Sequence, residues 1–139
     1  MLAAVACGTK MEEPVPNVEA SYNGVVTVEY QGEDYDNENI DVRYVPSEDG
    51  KTADIIIYKI KFVPQMPVTI DVTIPGVPVT VTTTEISFSG NDITPLAMGG
   101  EYPRYQVTNL VGSIVNGTMA FSLNFGTAPT RFTGTLKAE

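Results

Sequence analysis

Few residues in this chain can do chemistry. Histidine and tryptophan are absent, and cysteine occurs once, at Cys7. Ser-His-Asp and Cys-His catalysis therefore cannot be assembled. A zinc site of the His/Cys type cannot be built either, and a single cysteine permits no disulfide within the chain. What remains is the chemistry of carboxylates, tyrosine, lysine and arginine. Five acids, Glu33, Asp34, Asp36, Glu38 and Asp41, crowd one stretch, and clustered oxygens are what Ca²⁺ takes. Asp34-x-Asp36-x-Glu38 faintly echoes a calcium loop. The glycine of that pattern is missing at its sixth position, and Val45 stands where its bidentate glutamate belongs. A solvated hairpin tip is the better reading, and neither a metal site nor a cofactor is expected. Catalysis would need two convergent carboxylates or an activated lysine. Lys59 and Lys61 alternate outward along a strand and the acids sit in turns, so no enzyme is expected.

Two sets of side chains could instead bind. Tyr22, Tyr30, Tyr44 and Tyr58 fall on the apolar side of strand patterns. A buried tyrosine needs a partner for its hydroxyl, which a ligand or a water could supply. The ordinary alternative, favoured here, is that they fill the core. Leu96, Met98, Tyr102 and Tyr105 carry apolar surface through residues 90–104, which show no clean period. So long an irregular stretch in a compact fold is often a lid or binding loop. It could equally fold down and plug one end.

These residues are positioned by strands. From residue 67 to residue 90 the chain reads P-V-T-I-D-V-T-I-P-G-V-P-V-T-V-T-T-T-E-I-S-F-S-G. Val68, Ile70, Val72 and Ile74 alternate with Thr69, Asp71 and Thr73, the period of a half-buried strand. Pro75-Gly76 reads as a turn, and Val77, Val79 and Val81 resume the apolar face. Earlier strands are expected over 21–31, with Tyr22, Gly24, Val26, Val28 and Tyr30 on one face, over 40–45, with Ile40, Val42 and Tyr44 on one side, and over 52–62. In the last, Ile56, Tyr58, Ile60 and Phe62 share a face. Gly24 inside a strand points to a bend or a close backbone approach. Residues 32–39 read as a polar turn, and Ser47-Glu48-Asp49-Gly50 as a hairpin. Later strands cover 85–89 with Ile86 and Phe88 in register, 105–115 with an interruption near Asn109, 118–125 with Met119, Phe121, Leu123 and Phe125 on one face, and 131–137 with Phe132, Gly134 and Leu136 inward. Asn116-Gly117 is the strongest hairpin signal in the chain.

Eight or nine antiparallel strands with no convincing helix must close or split into two sheets, because open edges invite aggregation. The expected fold is an all-β up-and-down barrel over residues 21–137, with a β-sandwich as the alternative. Such a barrel has an interior just wide enough for side chains or one small ligand. The net charge is −9 over 139 residues, with eleven acids against Lys10 and Arg43 in residues 1–50 and six charges of each sign thereafter. That balance argues against nucleic acid and anionic lipid as partners.

Residues 1–8, M-L-A-A-V-A-C-G, resemble the end of a bacterial lipoprotein signal peptide. Ala6 fits the small residue before the cysteine, while Ala4 stands where leucine is usual. The resemblance implies acylation of Cys7 and attachment to the membrane through that lipid alone. Acyl chains anchor at about 0.8 kcal/mol per buried CH₂. Residues 9–20 hold prolines and charges without periodicity and read as a tether, so residues 1–20 form a signal remnant and linker. Acids soon after the cysteine resemble the surface-export signals of some Gram-negative lipoproteins.

Five segments together resemble the calycin-like (lipocalin-like) β-barrel lipoproteins of the Bacteroidetes cell envelope. They are Y-N-G-V-V-T-V from Tyr22, M-P-V-T-I-D-V-T-I-P-G-V-P-V-T from Met66, and I-S-F-S-G from Ile86. V-T-N-L-V-G-S-I-V-N-G from Val107 and F-T-G-T-L from Phe132 complete the set. They span residues 21–136 and speak to architecture, not catalysis. The resemblance implies a barrel behind a lipid anchor at the outer membrane, carrying no family site residue beyond Cys7. The expected function is binding of a small apolar or amphipathic molecule in the interior or mouth. The alternative is a filled barrel that presents a surface to protein or glycan partners.

Overall fold

The computed structural model describes residues 15–61 and 65–137. Ten strands follow one another: β1 (Ala20–Tyr30), β2 (Glu33–Pro46), β3 (Thr52–Ile60), β4 (Ile70–Val81), β5 (Ile86–Gly90), β6 (Leu96–Ala97), β7 (Gly100–Glu101), β8 (Val107–Val115), β9 (Thr118–Phe125) and β10 (Ala128–Leu136). Each of the eight long strands pairs antiparallel with its chain neighbours, and β10 returns to β1. The sheet is thus a closed up-and-down barrel, and the sandwich alternative is excluded. β6 and β7 form a small hairpin outside the ring, held on the edge of β4 through Val72–Ala97 and Thr73–Leu96.

The thinnest seam is β4 with β5, only Val79–Phe88, Thr80–Ser87 and Val81–Ile86. Where β5 leaves that edge, the β6–β7 hairpin takes it. Residues 90–104 are accordingly more regular than their composition predicts. Met98 and Gly99 both have positive φ (52° and 86°) and form the tight turn of that hairpin. A single 3-10 turn, Pro103–Tyr105, then leads into β8.

Bulges explain most departures from simple alternation. β4 runs unbroken through Pro75-Gly76, where the sequence predicts a turn between two strands. Gly76 takes φ 63° as the extra residue of a bulge, and its N–H donates to the Asp54 carboxylate at 2.9 Å. β3 has a second bulge, with Lys59 at φ 59° and its N–H donating to Asp71 at 2.9 Å. β8 has a third at Asn109, φ 55°, whose N–H donates to the Asn91 side chain at 3.1 Å. In each case a side-chain oxygen satisfies an N–H that the ladder would leave unpaired.

The Lys59 bulge splits the predicted face of β3: Ile60 is buried as expected, Ile56 and Tyr58 are not, and Phe62 lies outside the described residues. Ala53, Ile55 and Ile57 point inward, the extra residue shifts the register, and Ile60 is again buried. Ile56 and Tyr58 lie on the outer wall. The expected polar turn at 32–39 is likewise mostly strand. Gln31-Gly32 alone makes the turn, with φ 54° and 81°. A further bulge at Asn39 keeps Asn37 inside, where its amide accepts from the Lys61 N–H at 2.9 Å and donates to the Lys61 carbonyl at 3.1 Å.

The barrel axis is filled by side chains. Across one layer run Val26, Phe132, Phe121, Gly112, Phe88 and Val79, each paired to the next. Phe121 packs against Phe132 at 5.3 Å and edge-on against Phe88 at 6.2 Å between ring centres. Gly112 lies between Phe88 and Phe121, and a Cβ there would come within 2.5 Å of both. The next layer holds Gly24, Gly134, Met119, Ile114 and Ile86. Large rings thus lean over glycines and fill the narrow barrel.

Candidate functional site

One barrel end is crossed by residues 15–19, expected from their composition to be tether. The Val15 N–H donates to the Thr82 carbonyl at 2.9 Å, beside the β4–β5 turn. On the opposite rim the Asn17 amide reaches the Gly50 carbonyl in the β2–β3 turn at 3.3 Å. The Tyr44 hydroxyl donates to the Asn17 side-chain oxygen at 2.6 Å. Glu19 closes the strap through an ion pair with Arg43.

Under this strap lies a cavity of about 390 Å³, within the usual size range of small-molecule sites. Ile86 and Ile114 form its floor. Tyr22 and Leu136, a cross-strand pair, stand at the rim with Thr84, Asn116 and Gly117, and Val15, Pro16, Val18 and Ala20 form the roof. Leu136, predicted inward, is 52% exposed because its strand ends at the mouth, where nothing covers it fully. Val18 is 60% exposed, so the roof is loosely seated. The surroundings are mainly aliphatic with few polar groups, which suits an apolar body with one polar end.

Burial raises the Tyr22 hydroxyl above its ordinary value. Burial, then the neighbouring Tyr22, pushes Tyr44 up to about 12. Below pH 10 Tyr44 is neutral in both the folded and the unfolded chain, and its contribution to stability is fully present. Between pH 10 and 12 the unfolded chain ionises it and the folded chain does not, so stability falls as pH rises. The expected loss is about 2 kcal/mol, read by urea unfolding at pH 9 and at pH 11.5. Tyr44→Phe should remove that increment while costing about 1 kcal/mol at neutral pH for the lost Asn17 bond. An unchanged pH response in the variant would show that Tyr44 is not the group responsible.

The predicted binding residues do not converge. Tyr22 and Tyr44 meet at the strapped mouth, with Tyr22 lining the cavity. Tyr30 stands partly exposed at the far end, and Tyr58 sits outside the barrel in a polar cleft. Tyr102 and Tyr105 stack at 5.3 Å and 14° beside the far end, with Arg104 over the second ring. Leu96 and Met98 belong to the β6–β7 hairpin on the edge of β4, 39% and 67% exposed. Cys7 lies outside the described residues. The strap residues and the floor pair Ile86 and Ile114 were not expected as site residues. The available signal was Val15 and Val18, two β-branched apolar residues within the tether.

A larger cleft, about 680 Å³ and lined by polar groups, lies on the outer wall of β1, β2 and β3. Among the described residues no three acids or cysteines are grouped to hold a metal ion. No family model, no curated protein and no solved structure matches the chain.

Proposed function

We propose that this chain is a non-enzymatic, lipid-anchored barrel of the cell envelope that holds a small apolar or amphipathic molecule under its strap. The observation that carries this reading is the aliphatic cavity between the strap and the floor formed by Ile86 and Ile114. The filled axis moves the ligand from the interior to the mouth. The resemblance to calycin-like envelope lipoproteins supports the same reading, as does the way the chain enters the barrel. Val15 is fixed at the strapped mouth, and Cys7 precedes it by eight residues. Even fully extended, that length spans at most about 29 Å. Acylated at Cys7, the protein stands with this mouth close to the outer membrane, where an apolar ligand would be exchanged.

The test uses N-phenyl-1-naphthylamine, a neutral apolar fluorophore, titrated into the full chain with dodecanol as competitor. A saturable rise in fluorescence, reversed by dodecanol and weakened about tenfold or more by Leu136→Asp or Val18→Asp, is the expected result, since each carboxylate would have to be desolvated against the ligand. Binding that ignores both variants, or no saturable binding, would remove the mouth as the site. Membrane attachment is tested separately. In the expressed full-length gene, Cys7→Ser should shift the protein from membranes to the soluble fraction, and retention in membranes would end the anchor proposal.

A further inference from the structure

We infer that the outer cleft of β1, β2 and β3 is a second binding site, for a saccharide that carries a carboxylate. Its groups come from neighbouring strands. Ser21 and Asn23 on β1 face Arg43 and Asp41 on β2, and Tyr58 and Lys59 follow on β3. Lys137, just beyond β10, reaches Asp41 at 3.0 Å.

The polar groups are held before any ligand arrives. The Asn23 amide donates to both Asn39 and Asp41 at 2.9 Å. Hydrogen bonds from Asn23 and then Lys137 hold the Asp41 carboxyl below the usual carboxylate range, so it is an acceptor at neutral pH. Arg43 is tied to Ser21 at 2.9 Å and to Glu19. Fixed donors and acceptors side by side match the vicinal hydroxyls of a sugar, and fixing them beforehand lowers the entropic cost of binding. Tyr58, half-buried on the outer wall, offers a flat apolar face for the C–H side of a pyranose ring.

The charge of the ligand follows from Lys59. Three cations and one carboxylate line the cleft in a chain of net charge −9. Arg43 and Lys137 are already paired with Glu19 and Asp41, whereas no ion pair involves Lys59 among the described residues. Its charge acts on Asp41 across the cleft but no ion pair holds it, and one such ammonium matches one carboxylate. A phosphate dianion would have to compete with Asp41 and Glu19 for the other two cations. Lys59 sits in the left-handed region, φ 59°, as the extra residue of the β3 bulge, and its side chain lines the cleft.

The experiment is calorimetric titration of the full chain with trigalacturonate, trimannuronate and sialyllactose, against maltotriose as the neutral control. At least one carboxylated saccharide should bind saturably. Its affinity should fall about tenfold or more with Lys59→Gly, and similarly with Tyr58→Ser, since a charge-assisted bond and a ring face are lost. Lys59→Gly relieves the left-handed backbone, so its melting temperature should stay the same or rise, and lost binding will not reflect unfolding. The inference is overturned if no carboxylated saccharide binds, if maltotriose binds equally well, or if Lys59→Gly leaves affinity unchanged. It is equally overturned if inorganic phosphate at matched ionic strength competes as strongly as the saccharide. Leu136→Asp at the mouth should leave this binding intact, which separates the two sites.

Discussion

Gly24→Ala should destabilise the barrel by about 3 kcal/mol or more, and Gly24→Val should leave no folded protein. The reason is the seam that closes the ring. Gly24 on β1 pairs directly with Gly134 on β10. A Cβ on Gly24 would lie 1.9 Å from the Thr133 carbonyl oxygen and 2.4 Å from the Gly134 Cα. Both are backbone atoms, so no rotamer change relieves the clash. The strands would have to separate, and each ladder hydrogen bond lost costs about 1 kcal/mol. Gly32→Ala is the control. Its φ is 81° but nothing lies within 4 Å of the added carbon, so only the backbone preference is lost, about 1 kcal/mol. Urea unfolding of the three variants against the native chain measures the ordering. A Gly24→Ala loss no larger than that of Gly32→Ala would mean that β1 and β10 do not approach this closely, and the closed barrel would be in question.

That close approach was legible from Gly24 alone, as a glycine in the middle of a strand pattern. So were the inward faces of β1, β2, β5 and β9, because their alternation is uninterrupted where it matters. Tyr22, Ile40, Phe88, Met119, Phe121 and Phe125 are all buried as the period requires. What could not be read was anything behind a bulge. One extra residue exchanges the two faces of a strand, and Lys59 does so in β3 without a glycine to mark it. Ile60, beyond the bulge, is buried as the period requires, whereas Ile56 and Tyr58, before it, received the wrong face, and Tyr58 moved from the interior to the outer wall. At Pro75-Gly76 the opposite happened. The strongest turn composition in that segment proved to be a bulge, because Asp54 on the neighbouring strand supplies the acceptor that lets β4 continue. The mouth site was hidden for a different reason. Val15 and Val18 show no period of their own, and what makes them a roof is the anchoring of Asn17 by Tyr44 and Gly50, contacts 27 and 33 residues away in sequence.

Whether the axis is filled decides where a ligand can go, and Phe121→Ala tests it with the other large effect. Phe121 is 3% exposed, lies between the rings of Phe88 and Phe132, and crosses to Gly112, which has no side chain to move into the vacated space. Removing the ring should cost about 3–5 kcal/mol, at the upper end if the glycine side of the layer does not collapse. A loss of that size is a large part of the total stability of an ordinary domain. The cavity left behind would be lined by Phe88, Phe132 and aliphatic groups, and so would stay dry and accept benzene. Benzene should then raise the melting temperature of Phe121→Ala by a clearly larger increment than that of the native barrel, through its binding to the folded state alone. Equal increments would mean that the native axis already has room for a ring, and the ligand proposed for the mouth could extend inward. A larger increment in the variant confines that ligand to the 390 Å³ beneath the strap, where its size is limited by the distance from the Ile86–Ile114 floor to Val15 and Val18.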